Sequence, residues 1–142
     1  MKYLTSLLLV LLPLCAFSDD APEVENVKDL LWKNRVVVIW SDDQKTIAQA
    51  LNDSADDVDD RDIIWFILDG SKVMSNYSGT ISGEFSENTA KKYSGIGKKV
   101  ILVGKDGEVK KTADALALDL LFEEIDRMPM RINEMEKKKD DE

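Results

Sequence analysis

The fold of this chain is decided by one ten-residue stretch, Val36-Val37-Val38-Ile39-Trp40-Ser41-Asp42-Asp43-Gln44-Lys45. Its first half is a continuous apolar run, which is typical of a strand covered on both faces. Its second half is polar, and apolar residues then recur at helical spacing through Ile47 and Leu51. The stretch therefore predicts a buried strand that turns directly into an amphipathic helix, with Ser41 or Asp42 as the N-cap.

The segments on either side extend this pattern. Apolar runs at 63–68 and 99–104 predict two more strands, and Asp106-Gly107 predicts a hairpin into a fourth strand at 108–112. The Ser-, Gly- and Asn-rich stretch 71–83 is interpreted as a long connection before a short helix at 85–93. A final helix at 116–125 is predicted to end before Pro129, and we expect the charged tail 134–142 to fray.

This order of elements predicts an α/β fold. Two parallel strands joined through a helix and followed by an antiparallel hairpin are the thioredoxin-like arrangement, with a central sheet of about four strands flanked by helices. Trp32, Trp40 and Trp65 each lie in or beside an apolar segment, so we expect all three to pack in the core.

The first 18 residues are predicted to be a secretory signal peptide. They combine Lys2, an apolar run too short for a membrane span, and Ala16-Phe17-Ser18 before a cleavage site after Ser18. We therefore expect a periplasmic or secreted protein with one thioredoxin-like domain at 19–133, a charged tail at 134–142, and no stable membrane insertion after cleavage. Cys15 follows a leucine, which disfavours lipid attachment.

The composition excludes several kinds of chemistry. The 142 residues include no histidine and one cysteine, Cys15, which leaves with the signal peptide. The mature protein is then cysteine-free, so thiol redox, disulfides, Cys/His zinc sites and histidine catalysis are excluded. The acidic net charge of −9 repels phosphate backbones, so nucleic acid is not an expected partner.

Four phrases of the chain resemble a known family: Leu30-Leu31-Trp32-Lys33-Asn34-Arg35, Arg61-Asp62-Ile63-Ile64, Leu102-Val103-Gly104-Lys105-Asp106-Gly107 and Ile125-Asp126-Arg127-Met128-Pro129-Met130-Arg131. Together they resemble an exported thioredoxin-like domain family of unknown function. Its relatives include peroxiredoxin-like domains of vertebrate sushi-repeat and extracellular-matrix-assembly proteins. The resemblance implies a thioredoxin-like fold, export, and adhesion or matrix binding, and it supplies no catalytic residues.

The turn after the first strand departs from thioredoxin chemistry. A thioredoxin has Trp-Cys-Gly-Pro-Cys-Lys at this junction, whereas Ser41 and Gln44 occupy the two thiol positions here. The cis-proline that thioredoxins place before the third strand also has no counterpart in residues 96–99. A peroxiredoxin interpretation fails as well, because no thiolate remains.

The candidate binding turn consists of Trp40, Ser41, Asp42, Asp43 and Gln44, at the sheet end where open α/β folds usually bind ligands. Asp42 and Asp43 could perform acid/base chemistry or bind a hard cation, or they could only begin the helix. Because carboxylate catalysis usually needs a second converging group, the helix-starting role is favoured. No cofactor and no metal site are predicted.

Two other segments are candidate binding sites. The acidic run 56–62 lacks the glycine and the closing glutamate of a calcium loop, so a solvated loop is favoured and weak calcium binding stays open. Met128, Met130 and Arg131 form a candidate contact surface, because flexible thioethers and a guanidinium suit an adaptable interface. A packed C-terminal cap is the equal alternative for these three residues.

The leading hypothesis is a redox-inactive binding module that contacts a protein or a cell-surface polymer. The alternative is a carboxylate-dependent or metal-dependent hydrolase that uses Asp42 and Asp43. A third possibility is a structural subunit that assembles through its C-terminal segment.

We predict that the purified protein neither reduces insulin disulfides nor consumes peroxide with a thiol donor. The physical reason is that no sulfur nucleophile exists after position 15. Both rates are measured beside a Cys15→Ser variant, which controls for any protein that retains its leader. Turnover above the protein-free rate in the Cys15→Ser variant would contradict the expectation.

Overall fold

The computed structural model describes residues 21–142, so the predicted signal peptide, its cleavage site and Cys15 lie outside the described residues. The elements in chain order are β1 (Arg35–Trp40), α1 (Gln44–Asp53), α2 (Ala55–Asp60), β2 (Ile63–Asp69), β3 (Lys72–Ser75), α3 (Phe85–Tyr93), β4 (Val100–Val103), β5 (Val109–Ala113), α4 (Leu118–Asp126) and α5 (Pro129–Asp140). Short 3₁₀ segments at Val27–Leu30 and Ser94–Ile96 precede β1 and follow α3. Within residues 21–142, no helix is both long enough and apolar enough to cross a membrane.

The sheet has five strands in the order β3-β2-β1-β4-β5. β1 and β2 are parallel, and the other three neighbouring pairs are antiparallel. The predicted α/β class, with a parallel pair and an antiparallel hairpin flanked by helices, is confirmed. A thioredoxin-like fold is compatible with this arrangement.

The predicted number of four strands is wrong because β3 lies inside the stretch that was interpreted as a connection. The missed signal is Gly70-Ser71, the two-residue turn between the paired residues Asp69 and Lys72, with Gly70 in the left-handed region at φ 56°. The second hairpin forms where Asp106-Gly107 predicted it. There, the Gly107 N–H donates to the Gly104 carbonyl over 3.0 Å, and Gly107 has a φ of 83°.

Alternate residues of β1 face two separate apolar layers, as the pleat of a strand requires. Val37 and Ile39 pack with residues of α1, α2 and α4, whereas Val36 and Val38 pack with α3 and the 3₁₀ segment before β1. The sheet is therefore covered on both faces, which explains why β1 and β2 are continuous apolar runs.

Three sequence expectations are corrected by the helices and by one tryptophan. The acidic run after α1 is largely the helix α2 and not a loop, since its buried Val58 docks on the core. Helix α4 ends at Asp126, before Pro129 as predicted, but it is not the final helix, because Pro129 occupies the first turn of α5, where a missing N–H costs nothing. Trp65 is buried as expected, but Trp32 is 67% exposed.

The C-terminal helix α5 is attached by charged groups. Its only fully buried residue is Arg131, and the charged tail continues the helix to Asp140. One turn later, Glu134 accepts hydrogen bonds from both ends of the Arg35 guanidinium, over 3.1 and 3.3 Å. Lys105 Nζ reaches Glu134 Oε1 over 2.7 Å and Asp62 Oδ2 over 2.8 Å.

A second group of ion pairs continues from the first. Arg131 donates to Asp126 Oδ1 over 3.2 Å and to the backbone and side chain of Asp60, and Arg61 makes a two-pronged contact with Asp126 over 3.1 and 2.8 Å. We call the eight residues of both groups the ion network: Arg35, Arg61, Lys105, Arg131, Asp60, Asp62, Asp126 and Glu134. The network contains four positive and four negative side chains. Charged groups are tolerated in a protein interior when they are paired in this way.

Three carboxyl groups of the ion network, those of Asp60, Asp126 and Glu134, have pKa values below their ordinary range. Hydrogen bonds from Lys138 and then Arg131 lower the pKa of Asp60 to about 2. Burial alone would raise the pKa of Glu134, but the hydrogen bonds and charges of Arg35 and Lys105 outweigh it and hold that pKa below 4.5. Such carboxylates stabilise the fold above their unfolded pKa and lose that contribution as the pH falls.

We predict that Glu134→Gln lowers the free energy of unfolding by about 2 kcal/mol near pH 7, because it removes the charge opposite a buried guanidinium. The matched control is Glu123→Gln, which breaks the exposed pair with Arg127 and should cost roughly 0.5 kcal/mol or less. Urea unfolding at several pH values measures both. The deficit of Glu134→Gln should shrink as the pH falls below 4.5, where the wild-type carboxylate protonates in the unfolded state.

Equal losses for the two glutamine variants, or a Glu134→Gln deficit that does not change with pH, would contradict this assignment.

Candidate functional site

The candidate binding turn lies directly after β1, where the sequence placed it. Helix α1 begins at Gln44 with Asp43 at its N-cap position, one or two residues later than predicted. The Asp43 side chain makes no capping hydrogen bond, and the Asp43 N–H instead donates to Ser41 Oγ over 3.1 Å. The hydroxyl of Ser41 therefore organises the backbone of the turn.

Gln44 connects the turn to two strands. Its side-chain Nε2 donates to the carbonyl of Ile67 in β2 over 2.9 Å and to the carbonyl of Lys72 in β3 over 3.1 Å. Both hydrogens of the amide are thereby used. Gln44 thus makes a structural contact between α1, β2 and β3.

The remaining members of the turn face outward in different ways. Asp42 and Asp43 are exposed, and Trp40 is half-buried beside a cavity of about 220 Å³ that Tyr93 and Lys98 also line. Within residues 21–142, no group of three or more acidic side chains converges as a metal site would require. The turn therefore presents two separate surface carboxylates beside a shallow aromatic wall.

A larger cavity, of about 460 Å³, lies at the other end of β1. Arg35 begins β1, and Lys105 follows the β4 residue Val103, whose neighbour across the sheet is Val36. Since a strand rises about 3.3 Å per residue, roughly 17 Å separate this end of β1 from the candidate turn. We call this cavity the methionine groove, because Met128, Pro129 and Met130 form its apolar wall.

Charged side chains form the rest of the methionine groove. Cations outnumber carboxylates, with Arg35, Lys105, Lys110 and Arg127 against Asp106 and Glu124. Lys110 pairs with Asp106 over 2.7 Å, whereas Glu124 pairs with Lys111, which is not a lining residue. Glu134 pairs with Arg35 and Lys105, and Glu123 pairs with Arg127, so each lining cation has a carboxylate partner and the floor is charged but compensated.

The three residues of the predicted contact surface have different roles. Met130 is 38% exposed and Met128 packs partly on the core, and both line the methionine groove. Arg131 is only 2% exposed, and its guanidinium is held by Asp60 and Asp126. Arg131 therefore belongs to the interior, where it holds the helix that carries Met130.

Backbone strain is concentrated at this end of the sheet. Among the described residues, the non-glycine positions with positive φ are Trp32 at 66° and Asp62 at 52°. Both contact Lys105: the Trp32 N–H donates to the Lys105 carbonyl over 2.7 Å, and the Asp62 carboxylate accepts from Lys105 Nζ. Strained residues persist where the surroundings force them and gather at functional sites.

Gly104 lies in close contact with the side chains of Lys110 and Asp106. A Cβ at this position would lie 2.6 Å from Lys110 Cε and 2.8 Å from Asp106 Oδ1. A larger residue would therefore displace the ends of these two side chains, which pair with each other. The sequence pointed to the apolar wall of this site through Met128 and Met130 but not to its charged floor, and all four phrases that carry the family resemblance contribute to its lining or its support.

Comparison with known proteins gives a family and no activity. The family model described as "Domain of unknown function (DUF4174)" matches residues 26–134. No curated protein and no solved structure matches the chain. The matched segment contains both the candidate turn and the methionine groove.

We predict that replacing Asp42 and Asp43 together by asparagine changes the free energy of unfolding by about 1 kcal/mol or less, because asparagine still suits a helix start. Thermal melts are recorded with and without calcium. The double variant Asp56→Asn/Asp59→Asn serves as a matched control, since it also removes two exposed charges. A calcium-induced rise in melting temperature that only the Asp42/Asp43 variant loses would instead establish a cation site at the turn.

Proposed function

This chain belongs to the DUF4174 family of domains of unknown function, and we propose that it is a redox-inactive, thioredoxin-like interaction module of an exported protein. In this proposal the partner binds at the methionine groove and not at the turn after β1. The single observation that carries the proposal is the groove itself, a cavity of about 460 Å³ with an apolar wall and a charged floor. Its size lies within the range of ligand sites.

The state of the turn supports this choice of site. Ser41 and Gln44, at the positions of the two thiols, both make hydrogen bonds inside the chain. A partner that bound at the turn would contact mainly the two surface carboxylates, those of Asp42 and Asp43. The hydrolase alternative rests on Asp42 and Asp43 alone, and the double asparagine variant tests it.

The rigidity of the methionine groove supports it as well. Arg35 and Lys105, on the floor, are fixed by Glu134 of α5, and Arg131 of α5 is fixed by Asp60 and Asp126. The wall and the floor are therefore tied to each other through the ion network. A site whose groups are already ordered loses less conformational entropy when a partner binds.

The lining favours a protein over a cell-surface polymer as the partner. Methionine and arginine are enriched in protein–protein interfaces, and thioethers adapt to apolar side chains of varied shape. A polysaccharide offers few groups that an apolar Met-Pro-Met wall can cover. We therefore propose a protein partner in the compartment to which the chain is exported.

The proposal is tested by photocrosslinking in the organism that makes the protein. Benzoyl-phenylalanine replaces Met130 in one strain and Ile132 in another; the two side chains are 38% and 39% exposed in the same helix, but only Met130 lines the groove. We expect a discrete protein adduct from position 130 and none from position 132. A third strain carries the probe at Asp42.

Adducts of equal yield from positions 130 and 132, or an adduct from position 42 alone, would contradict binding at the methionine groove.

A further inference from the structure

We propose that the side chain of Asn76 takes the place of a strand residue beside β2, and that it thereby prevents a second copy of the chain from pairing with this edge of the sheet. The proposal depends on the unequal lengths of β2 and β3, on the register between them and on two hydrogen bonds of one amide. It is independent of the methionine groove.

β3 covers only part of β2. It pairs with Phe66–Asp69, so Ile63 and Trp65 have no neighbouring strand on that side within the described residues. The Leu68 carbonyl accepts from the N–H of Ser41, directly after β1, and peptide groups alternate in direction along a strand. Ile63 and Trp65 are odd numbers of residues from Leu68, so their peptide groups point to the uncovered side. Unpaired peptide groups at an edge can pair with another chain.

Asn76 lies at the position where a longer β3 would cover Trp65. The register pairs Phe66 with Ser75, so the next pair in the series is Trp65 with Asn76. β3 ends at Ser75, and the Tyr77 N–H donates to the Ser75 hydroxyl over 3.0 Å. The side chain of Asn76 therefore reaches β2 at the point where the main chain leaves the sheet.

The Asn76 amide makes the hydrogen bonds that a neighbouring strand would make. Its Oδ1 accepts from the Trp65 N–H over 2.8 Å, and its Nδ2 donates to the Ile63 carbonyl over 3.0 Å. A side-chain amide has the same donor and acceptor groups as a peptide bond. Both uncovered groups of β2 are thus satisfied. Asn76 is itself half-buried, so the described residues do not cover it completely.

The sequence of β2 explains why this edge needs protection. Residues 63–68 are six consecutive apolar residues without proline or charge, which is the pattern of segments that pair with themselves. Lysines and bulges commonly protect sheet edges. β5 has Lys110, Lys111 and an irregular register with β4, and β3 begins at Lys72. The first residues of β2 have neither device, and the Asn76 amide takes that role.

A second copy of the chain is the partner that this edge would accept. Two copies of the same apolar edge can satisfy each other about a two-fold axis, because each supplies the groups that the other lacks. Such pairing requires that the Asn76 amide leaves the edge. Removal of the amide should therefore convert a protected edge into a self-association site.

The test is the variant Asn76→Ala, which deletes both hydrogen bonds. We expect sedimentation velocity to show self-association that exceeds that of the wild-type protein and increases with concentration. The matched control is Asn88→Ala, which removes a side-chain amide bond outside the sheet, from Nδ2 to the Glu25 carbonyl over 3.1 Å. This control should associate no more than the wild type. Asn76→Ser, which also lacks the amide, replaces the alanine variant if that variant does not fold.

Asn76→Asp separates loss of stability from opening of the edge. Its carboxylate still accepts from the Trp65 N–H but cannot donate to the Ile63 carbonyl, so the fold is weakened. A charge nevertheless remains at the edge and opposes pairing. We expect Asn76→Asp to unfold at lower urea concentration than the wild type and to associate no more than it does.

Hydrogen exchange locates the association. In dilute Asn76→Ala, the Trp65 amide should exchange about tenfold faster than in the wild type, as expected for the loss of one hydrogen bond, and it should slow again as the concentration rises. The wild-type protein has an internal reference. Val73 lies opposite Leu68, whose peptide groups face β1, so those of Val73 point away from β2. The Trp65 amide should exchange about tenfold more slowly than the Val73 amide.

Three results would overturn the proposal. The first is a folded Asn76→Ala or Asn76→Ser variant that associates no more than Asn88→Ala. The second is association that leaves Trp65 exchange independent of concentration, or that Asn76→Asp shares in full, since the cause would then be another surface or general instability. The third is a wild-type Trp65 amide that exchanges as fast as that of Val73, which would show that the amide does not protect the edge.

Discussion

Two guanidinium groups in the interior, those of Arg35 and Arg131, constrain the C-terminal half of the structure. A buried cation is tolerated only opposite a carboxylate, and here the carboxylates come from parts of the chain far apart in sequence. Arg35 at the start of β1 requires Glu134, and Arg131 requires Asp60 at the end of α2. Because both of these ion pairs form, the position of α5 against the sheet is fixed. Met130 and the apolar wall of the groove are placed as a result.

The residues at the two ends of β1 make different kinds of contact. At its C-terminal end, Ser41 and Gln44 satisfy hydrogen bonds of the turn and of β2 and β3, so this end contributes to cohesion of the fold. At its N-terminal end lies a cavity with a charged floor, and two left-handed residues, the exposed Trp32 and Asp62, contact Lys105. Open α/β folds usually bind ligands at the carboxyl ends of parallel strands, and the position of the methionine groove differs from that rule.

Sequence reasoning succeeded where local hydrophobicity decides the structure and failed where distant charges decide it. β1, β2 and β4 are covered on both faces, so each is a continuous apolar run that stands out in the sequence. β3 was missed because it is short and lies at an edge, where alternation is weak. For Arg131 the sequence leaves a contact surface and a packed C-terminal cap as equal alternatives, because no local pattern reveals a partner 71 positions earlier at Asp60. Trp32 is predicted to lie in the core because it stands beside an apolar segment, but its side chain is exposed.

A helix that is attached through charges has its own dynamics. The sheet is held by apolar layers on both faces, whereas α5 fully buries a single arginine. Ion pairs are screened by salt and released by protonation, and apolar contacts are affected much less by either. The chain is therefore built as two cooperative units of unequal strength. Amide hydrogens of α5 would exchange with solvent through local opening of that helix, while those of the central strands would wait for global unfolding.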